Sequence, residues 1–194
     1  MHHALLSAVL SLSVLFTPFA AAQDASYTFT TSDVPGSIST EATGINDRGQ
    51  IVGWFRDAVG ITHGFLIDGT TLTVIDVPGA TFTQANGINN RSQIVGVFPG
   101  FLTDGTTFTS IDVPGAAGTF ATGINNRGQI VGTFSDIVRG LHGFLTADGT
   151  TFTNIDVPGA TFTRAFGINN LGQIVGSFLD DIGDPGLHGF VATP

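Results

Sequence analysis

Gly44–Phe55 reads GINDRGQIVGWF, and the phrase returns as GINNRSQIVGVF from Gly87, GINNRGQIVGTF from Gly123 and GINNLGQIVGSF from Gly167. Self-similarity at a fixed period marks a repeat architecture, in which one supersecondary unit buries its apolar surface only against its neighbours. Working outward, a second phrase, TVIDVPGA from Thr73, recurs as TSIDVPGA from Thr109 and TNIDVPGA from Thr153, with a degenerate copy, TTSDVPGS, from Thr30. Asp33, Asp76, Asp112 and Asp156 each stand 11 positions before the next GIN glycine. A third phrase is HGFL at His63 and His142 and HGFV at His188, and the copy between them is cut to PGFL at Pro99.

Each unit reads as four short strands. The inner strand runs into GIN, as over Thr83 to Asn89, and an Asn/Asp-Arg-Gly turn follows, where Asn and Gly tolerate positive φ. The second strand, QIVGWF, is apolar on both faces, as strands sandwiched between neighbouring sheets are. HGFLI is the third, and an Asp-Gly turn (Asp68-Gly69, Asp104-Gly105, Asp148-Gly149) leads to a fourth that alternates Thr with apolar residues until Val-Pro-Gly stops it. Helix signals are missing, since Glu41 is the only Glu, Lys is absent and Gly recurs every few residues.

The chain is therefore all-β, and four-stranded units of about 40 residues are the mark of β-propeller blades. Tyr27 to Asp33 reads as a lone fourth strand, and the last repeat stops after a third strand, His188 to Ala192. The expectation is a four-bladed β-propeller closed by pairing of the N-terminal strand with the C-terminal blade. Its blades lie at about 44–76, 87–112, 123–156 and 167–192 plus 27–33, within a single domain over 23–194. Closure of this kind removes exposed sheet edges. A β-solenoid, or a half-ring that dimerises into eight blades, stays open as an alternative.

Composition narrows the function. In 194 residues there are 6 Lys+Arg, all of them Arg, against 15 Asp+Glu, for a net charge of −9. Such a chain repels phosphate backbones, so nucleic acid is not an expected partner. With no Cys there are no disulfides and no thiolate chemistry. Residues 1–22, MHHALLSAVLSLSVLFTPFAAA, read as a signal peptide: an apolar stretch from Ala4 to Phe16, then Pro18 and a small-residue cleavage pattern at Ala20–Ala22. The run is shorter than a membrane span of ~20 residues, and no second one follows. The mature chain is expected to be secreted, extracellular or periplasmic, with no membrane span.

GIN(D/N)RGQIVG, HGF and the DGT turn resemble the HAF-type extracellular repeat family, predicted secreted bacterial repeat proteins named for a His-Ala-Phe motif. The resemblance covers nearly the whole mature chain. The family's Ala is Gly64, Gly143 and Gly189 here, and the second repeat lacks the His. The resemblance implies an exported bacterial protein with a propeller-like fold, and brings no activity or catalytic residues.

His63, His142 and His188 occupy one repeat position. They could converge on a metal, since three His ligands make a zinc site; the alternative, favoured here, is that each bonds an Asp or carbonyl within its own blade. Asp33, Asp76, Asp112 and Asp156 are expected to accept backbone N–H bonds in the turn after the outer strand. The loops between second and third strands vary: RDAVGIT after Phe55, almost nothing after Phe98, SDIVRGL after Phe134, LDDIGDPGL after Phe178. Variable loops on a regular scaffold are where function is usually placed. The candidate ligand residues are accordingly Arg56, Asp57, Asp136, Arg139, Asp180, Asp181 and Asp184, with Trp54 as a stacking platform, and the deletion after Phe98 should leave a notch in the rim. Asp180, Asp181 and Asp184 could share a calcium ion, without matching the EF-hand spacing; otherwise no cofactor is expected. No catalytic residue stands out: there is no Cys or Lys nucleophile and no GxSxG elbow. The reading is a binding module for a glycan, surface protein or matrix ligand, working through the variable-loop face. The alternatives are a metal-assisted hydrolase or lyase and a structural component of an extracellular layer.

Overall fold

The computed structural model describes residues 27–138, 140–180 and 186–194. The expected signal peptide at 1–22, together with Arg139, Asp181 and Asp184, lies outside them. The chain divides into two units, Met1–Thr31 and Ser32–Pro194. In the first, the described residues form no strand, and Tyr27 and Phe29 are exposed.

All regular structure lies in the second unit. Sheet 1 comprises β1 (Ser39–Ile45), β2 (Ile51–Arg56), β3 (Thr62–Asp68) and β4 (Thr71–Ile75). Sheet 2 comprises β5 (Gln84–Ile88), β6 (Ile94–Val97), β7 (Phe101–Thr103) and β8 (Phe108–Ser110). Sheet 3 comprises β9 (Gly118–Ile124), β10 (Ile130–Ser135), β11 (Leu141–Thr146) and β12 (Phe152–Ile155). Sheet 4 has β13 (Phe162–Ile168), β14 (Ile174–Asp180) and β15 (Gly186–Ala192). Every sheet is an antiparallel meander in chain order, and each starts before the GIN glycine rather than at it, because the inner strand precedes GIN. Among the described residues there is no helix, and so none long and apolar enough to cross a membrane.

The repeated phrases have local physical causes. The third residue of GIN closes its turn: Asn89 Oδ1 accepts the N–H groups of Arg91 (2.9 Å) and Gln93 (3.0 Å), as Asn46, Asn125 and Asn169 do in their own turns. The glycine of QIVG makes room for the adjoining strand's backbone and for a phenylalanine ring. A Cβ at Gly96 would stand 2.1 Å from the Gln84 carbonyl oxygen and 2.6 Å from the Phe101 ring. The inner strands carry a bulge, and the extra residue points out of the sheet, as bulges make side chains do. Thr43 Oγ1 thus reaches the Ala85 carbonyl (2.7 Å) and Thr122 Oγ1 the Ala165 carbonyl (2.8 Å), in each case one repeat onward.

Packing between sheets repeats as well. Val52, Leu66 and Ile75 of sheet 1 meet Ala85, Ile88 and Ile94 of sheet 2. Val95, Leu102 and Ile111 then meet Ala121, Ile124 and Ile130, and Val131, Leu145 and Ile155 meet Ala165, Ile168 and Ile174. A second strand with neighbours on both sides is buried throughout, as β6 is, whereas β14 is mostly half-buried.

Two expectations are corrected. Tyr27–Val34 forms no strand, and sheet 4 is three-stranded, with β14 the sole paired neighbour of β15 among the described residues. In the other sheets a short Asp-Gly hairpin delivers the outer strand, while residues 27–33 would have to close a loop spanning nearly the whole domain. Val34 instead enters sheet 1, buried with Phe55 and Phe65, its N–H bonded to Thr40 Oγ1 (3.1 Å). The same bond, from Val77 to Thr83, Val113 to Thr119 and Val157 to Thr163, caps each entry turn. The cap is this Thr six residues on and not the preceding Asp.

The Asn turns also join repeats: Asn46 Nδ2 bonds the Asn89 carbonyl, Asn89 Nδ2 the Asn125 carbonyl and Asn125 Nδ2 the Asn169 carbonyl, at 2.9–3.0 Å. Asn89→Ala removes this bond and leaves buried turn amides unpaired, so a loss of roughly 2–4 kcal/mol is expected. Chemical denaturation checks it, with the exposed Arg91→Ala expected to cost less than about 0.5 kcal/mol.

Candidate functional site

The third strand of a repeat opens with His, and two carboxylates converge on it. His63 Nδ1 lies 2.8 Å from Asp76 Oδ2 and Nε2 lies 3.5 Å from Asp57 Oδ2. Repeat 3 copies this, with His142 3.0 Å from Asp156 and 3.4 Å from Asp136. Asp57 and Asp136 come from the loops after β2 and β10, Asp76 and Asp156 from the exits of β4 and β12. The ring is thus a clamp tying the variable loop to the inter-sheet connection. Phe55 and Phe134 stack on these rings at 5.1 and 5.0 Å.

Partial burial works against the charged ring, but the hydrogen bonds and charges of both carboxylates outweigh it, and the pKa values of His63 and His142 are raised. Asp57 is held below the usual carboxylate range. Desolvation opposes that shift, and the Ile61 N–H, His63 and the Val59 N–H overcome it. Each ring nitrogen of His63 and His142 faces a carboxylate, so both sides of the ring are taken up by the clamp.

The other predicted residues spread along the face. Asp57 Oδ1 accepts the N–H groups of Val59 and Ile61, and Asp136 Oδ1 those of Val138 and Gly140, so these carboxylates shape their loops. Arg56 is exposed and bonds the Gly60 carbonyl at 3.3 Å. Trp54 is half-buried on β2, between Glu41 and Gly64. Asp180 ends β14, half-buried, and its two expected calcium partners lie outside the described residues. His188 packs against Phe178 at 5.2 Å. Among the described residues no group of three metal-binding side chains forms.

Repeat 2 departs from this pattern. Pro99 replaces the His, the loop is missing, and the phenylalanine that would stack on an imidazole has no such partner. Phe98 takes φ 66°, a costly conformation for a bulky side chain, with a cis bond to Pro99. It is 46% exposed, whereas Phe55 and Phe134 are each 8% exposed. Its ring makes edge-to-face pairs with Phe82 (4.8 Å) and Phe120 (5.4 Å) instead.

A cavity of about 390 Å³ opens beside it between sheets 2 and 3, walled by Phe98, Pro99, Phe120, Ser110 and Asp112. A second hollow adjoins it across Phe98 and Phe82. Among the described residues Asp112, the counterpart of Asp76 and Asp156, has no imidazole to clamp and accepts only a long bond from Thr119 Oγ1 (3.3 Å). The notch expected from the deletion is present, but its aromatic lining is new. Phe120 was legible as an outlier, since the same repeat position holds Glu41, Gln84 and Arg164.

No family model matches the chain, and no curated protein matches it.

The raised His values set a pH dependence. The clamps' contribution to stability is full below the ordinary imidazole value of 6.5 and is lost as pH rises through the raised values. Asp57 adds an acid limb, present above 3.8 and lost as pH falls through its lowered value. Melting curves should show a gap between the parent and His63→Gln/His142→Gln that is widest between those limits and narrows above pH 6.5. A gap independent of pH contradicts charged clamps.

Proposed function

We propose that the chain is an exported repeat protein of the HAF-like type, its four sheets acting as propeller-type blades, and that its role is binding rather than catalysis. The ligand meets the variable-loop face at the notch of repeat 2. One observation carries this reading: in the only repeat without loop and histidine, the phenylalanine that recurs in every repeat is turned outward at the mouth of a cavity of about 390 Å³ beside an exposed carboxylate. Residues held in sparsely populated backbone regions cluster at ligand sites, because the surroundings must over-determine them.

The chemistry of the notch suits a glycan. An aromatic ring offers its face to the C–H side of a sugar, while Asp112 and Ser110 accept hydrogen bonds from sugar hydroxyls. A net charge of −9 disfavours anionic polymers and leaves neutral or cationic sugars as the best partners. In this reading the variable loops that carry Arg56, Asp57 and Asp136 supply further contacts to a larger ligand.

A glycan array probed with the purified chain tests the reading. At least one neutral or amino-sugar glycan should bind, and Phe98→Ala and Asp112→Asn should each weaken it about tenfold or more, the scale of one lost anchor in an interface. Melting temperatures of both variants should stay near the parent's. Binding that survives both changes places the ligand elsewhere.

A further inference from the structure

The repeat-to-repeat interface is left half-made at each end of the series. Within the domain, the QIVG valine and the HGFL leucine of one sheet pack into a hollow of Ala and Ile on the next. On sheet 4 the same positions hold Val175 and Val191, which are 47% and 65% exposed. On sheet 1 the receiving positions hold Ala42, Ile45 and Ile51, and Ile45 is 68% exposed. An apolar hollow of about 400 Å³ lies there, lined by Ala42, Thr43, Gly44, Ile45 and Ile51.

Polar groups stop at the same two places. Asn46, Asn89 and Asn125 each donate to the carbonyl of the next repeat, while among the described residues Asn169 Nδ2 bonds only Gln173 Oε1 of its own turn. Gly44, Gly87 and Gly123 each lie against backbone one repeat onward, and Gly167 faces only its own Val175. A knob at one end and its matching hollow at the other, with a hydrogen-bond ladder cut at both, are the two halves of a single interface.

We propose that a second copy of this chain occupies these faces head to tail, sheet 4 of one copy packing on sheet 1 of the other in the register that sheets 1, 2 and 3 use internally. Val175 enters the hollow at Ala42 and Ile45, and Asn169 Nδ2 reaches the Asn46 carbonyl of the second copy. Phe166, at the position of Thr43 and Thr122, replaces one polar rung with an apolar contact and is itself half-exposed. The interface is heterologous, so two copies close on each other where the rotation permits, and otherwise extend. This interface does not depend on any ligand at the notch.

Light scattering behind size exclusion, on the full chain at concentrations on the order of 100 μM, where a modest interface is populated, reads the result directly. The parent should run at twice the chain mass or more. Val175→Asp and Ile45→Asp should each run as monomers with parent-like circular dichroism. Each variant keeps one intact end, so their mixture should regain the two-chain species, which a symmetric face-to-face dimer would not do. A monomeric parent, association that survives both substitutions, or failure of the mixture to associate overturns the proposal.

Discussion

The side-chain amide of the GIN asparagine is the constraint on which the architecture rests. Its oxygen takes two N–H groups of its own turn, and its nitrogen bridges to a glutamine of that turn and to the carbonyl of the next repeat's asparagine. Asn46, Asn89 and Asn125 are buried, so each of these bonds replaces water that cannot enter. Among the described residues no buried side-chain polar atom lacks a partner. A hydrogen bond fixes the offset between neighbouring inner strands to a fraction of an ångström, which burial of apolar area alone does not. With that offset set, the bulged Thr43 and Thr122 find the alanine carbonyls opposite, and valine knobs meet alanine and isoleucine hollows.

A scaffold held this way tolerates change at its rim. The loop between second and third strands is tied down in repeats 1 and 3 by a histidine between two carboxylates, and repeat 2 omits loop and histidine together. The consequence is local. The freed phenylalanine turns to Phe82 and Phe120, a cavity opens, and Asp112 is left without the imidazole that its counterparts hold. The series of sheets is unaffected, because the contacts between repeats run through the inner strands and the sheet faces.

The all-β meander was legible because each phrase encodes a local event: an asparagine turn, an Asp-Gly hairpin, a strand apolar on both faces. The repeat-2 notch was legible from the missing residues after Phe98. Three things were not. Thr30–Gly36 carries the DVPG pattern of an outer strand, yet Val34 follows the rule for entering the next sheet, and both roles use the same letters. The DVPG phrase points to Asp76 and its counterparts as the turn cap, although Thr83, six residues after Val77, makes the bond; Asp76 is spent on His63, which only the fold brings near. The aromatic lining depended on Phe98 leaving its usual place, a rearrangement set by an absent partner.

Solvent exchange of the asparagine side-chain amide protons, followed by NMR, reads out whether these bonds hold the repeats together. The Nδ2 protons of Asn46, Asn89 and Asn125 should exchange far more slowly than those of a free amide, with protection that persists until the domain opens. Exchange at the free rate would mean that the repeats are held by apolar packing alone.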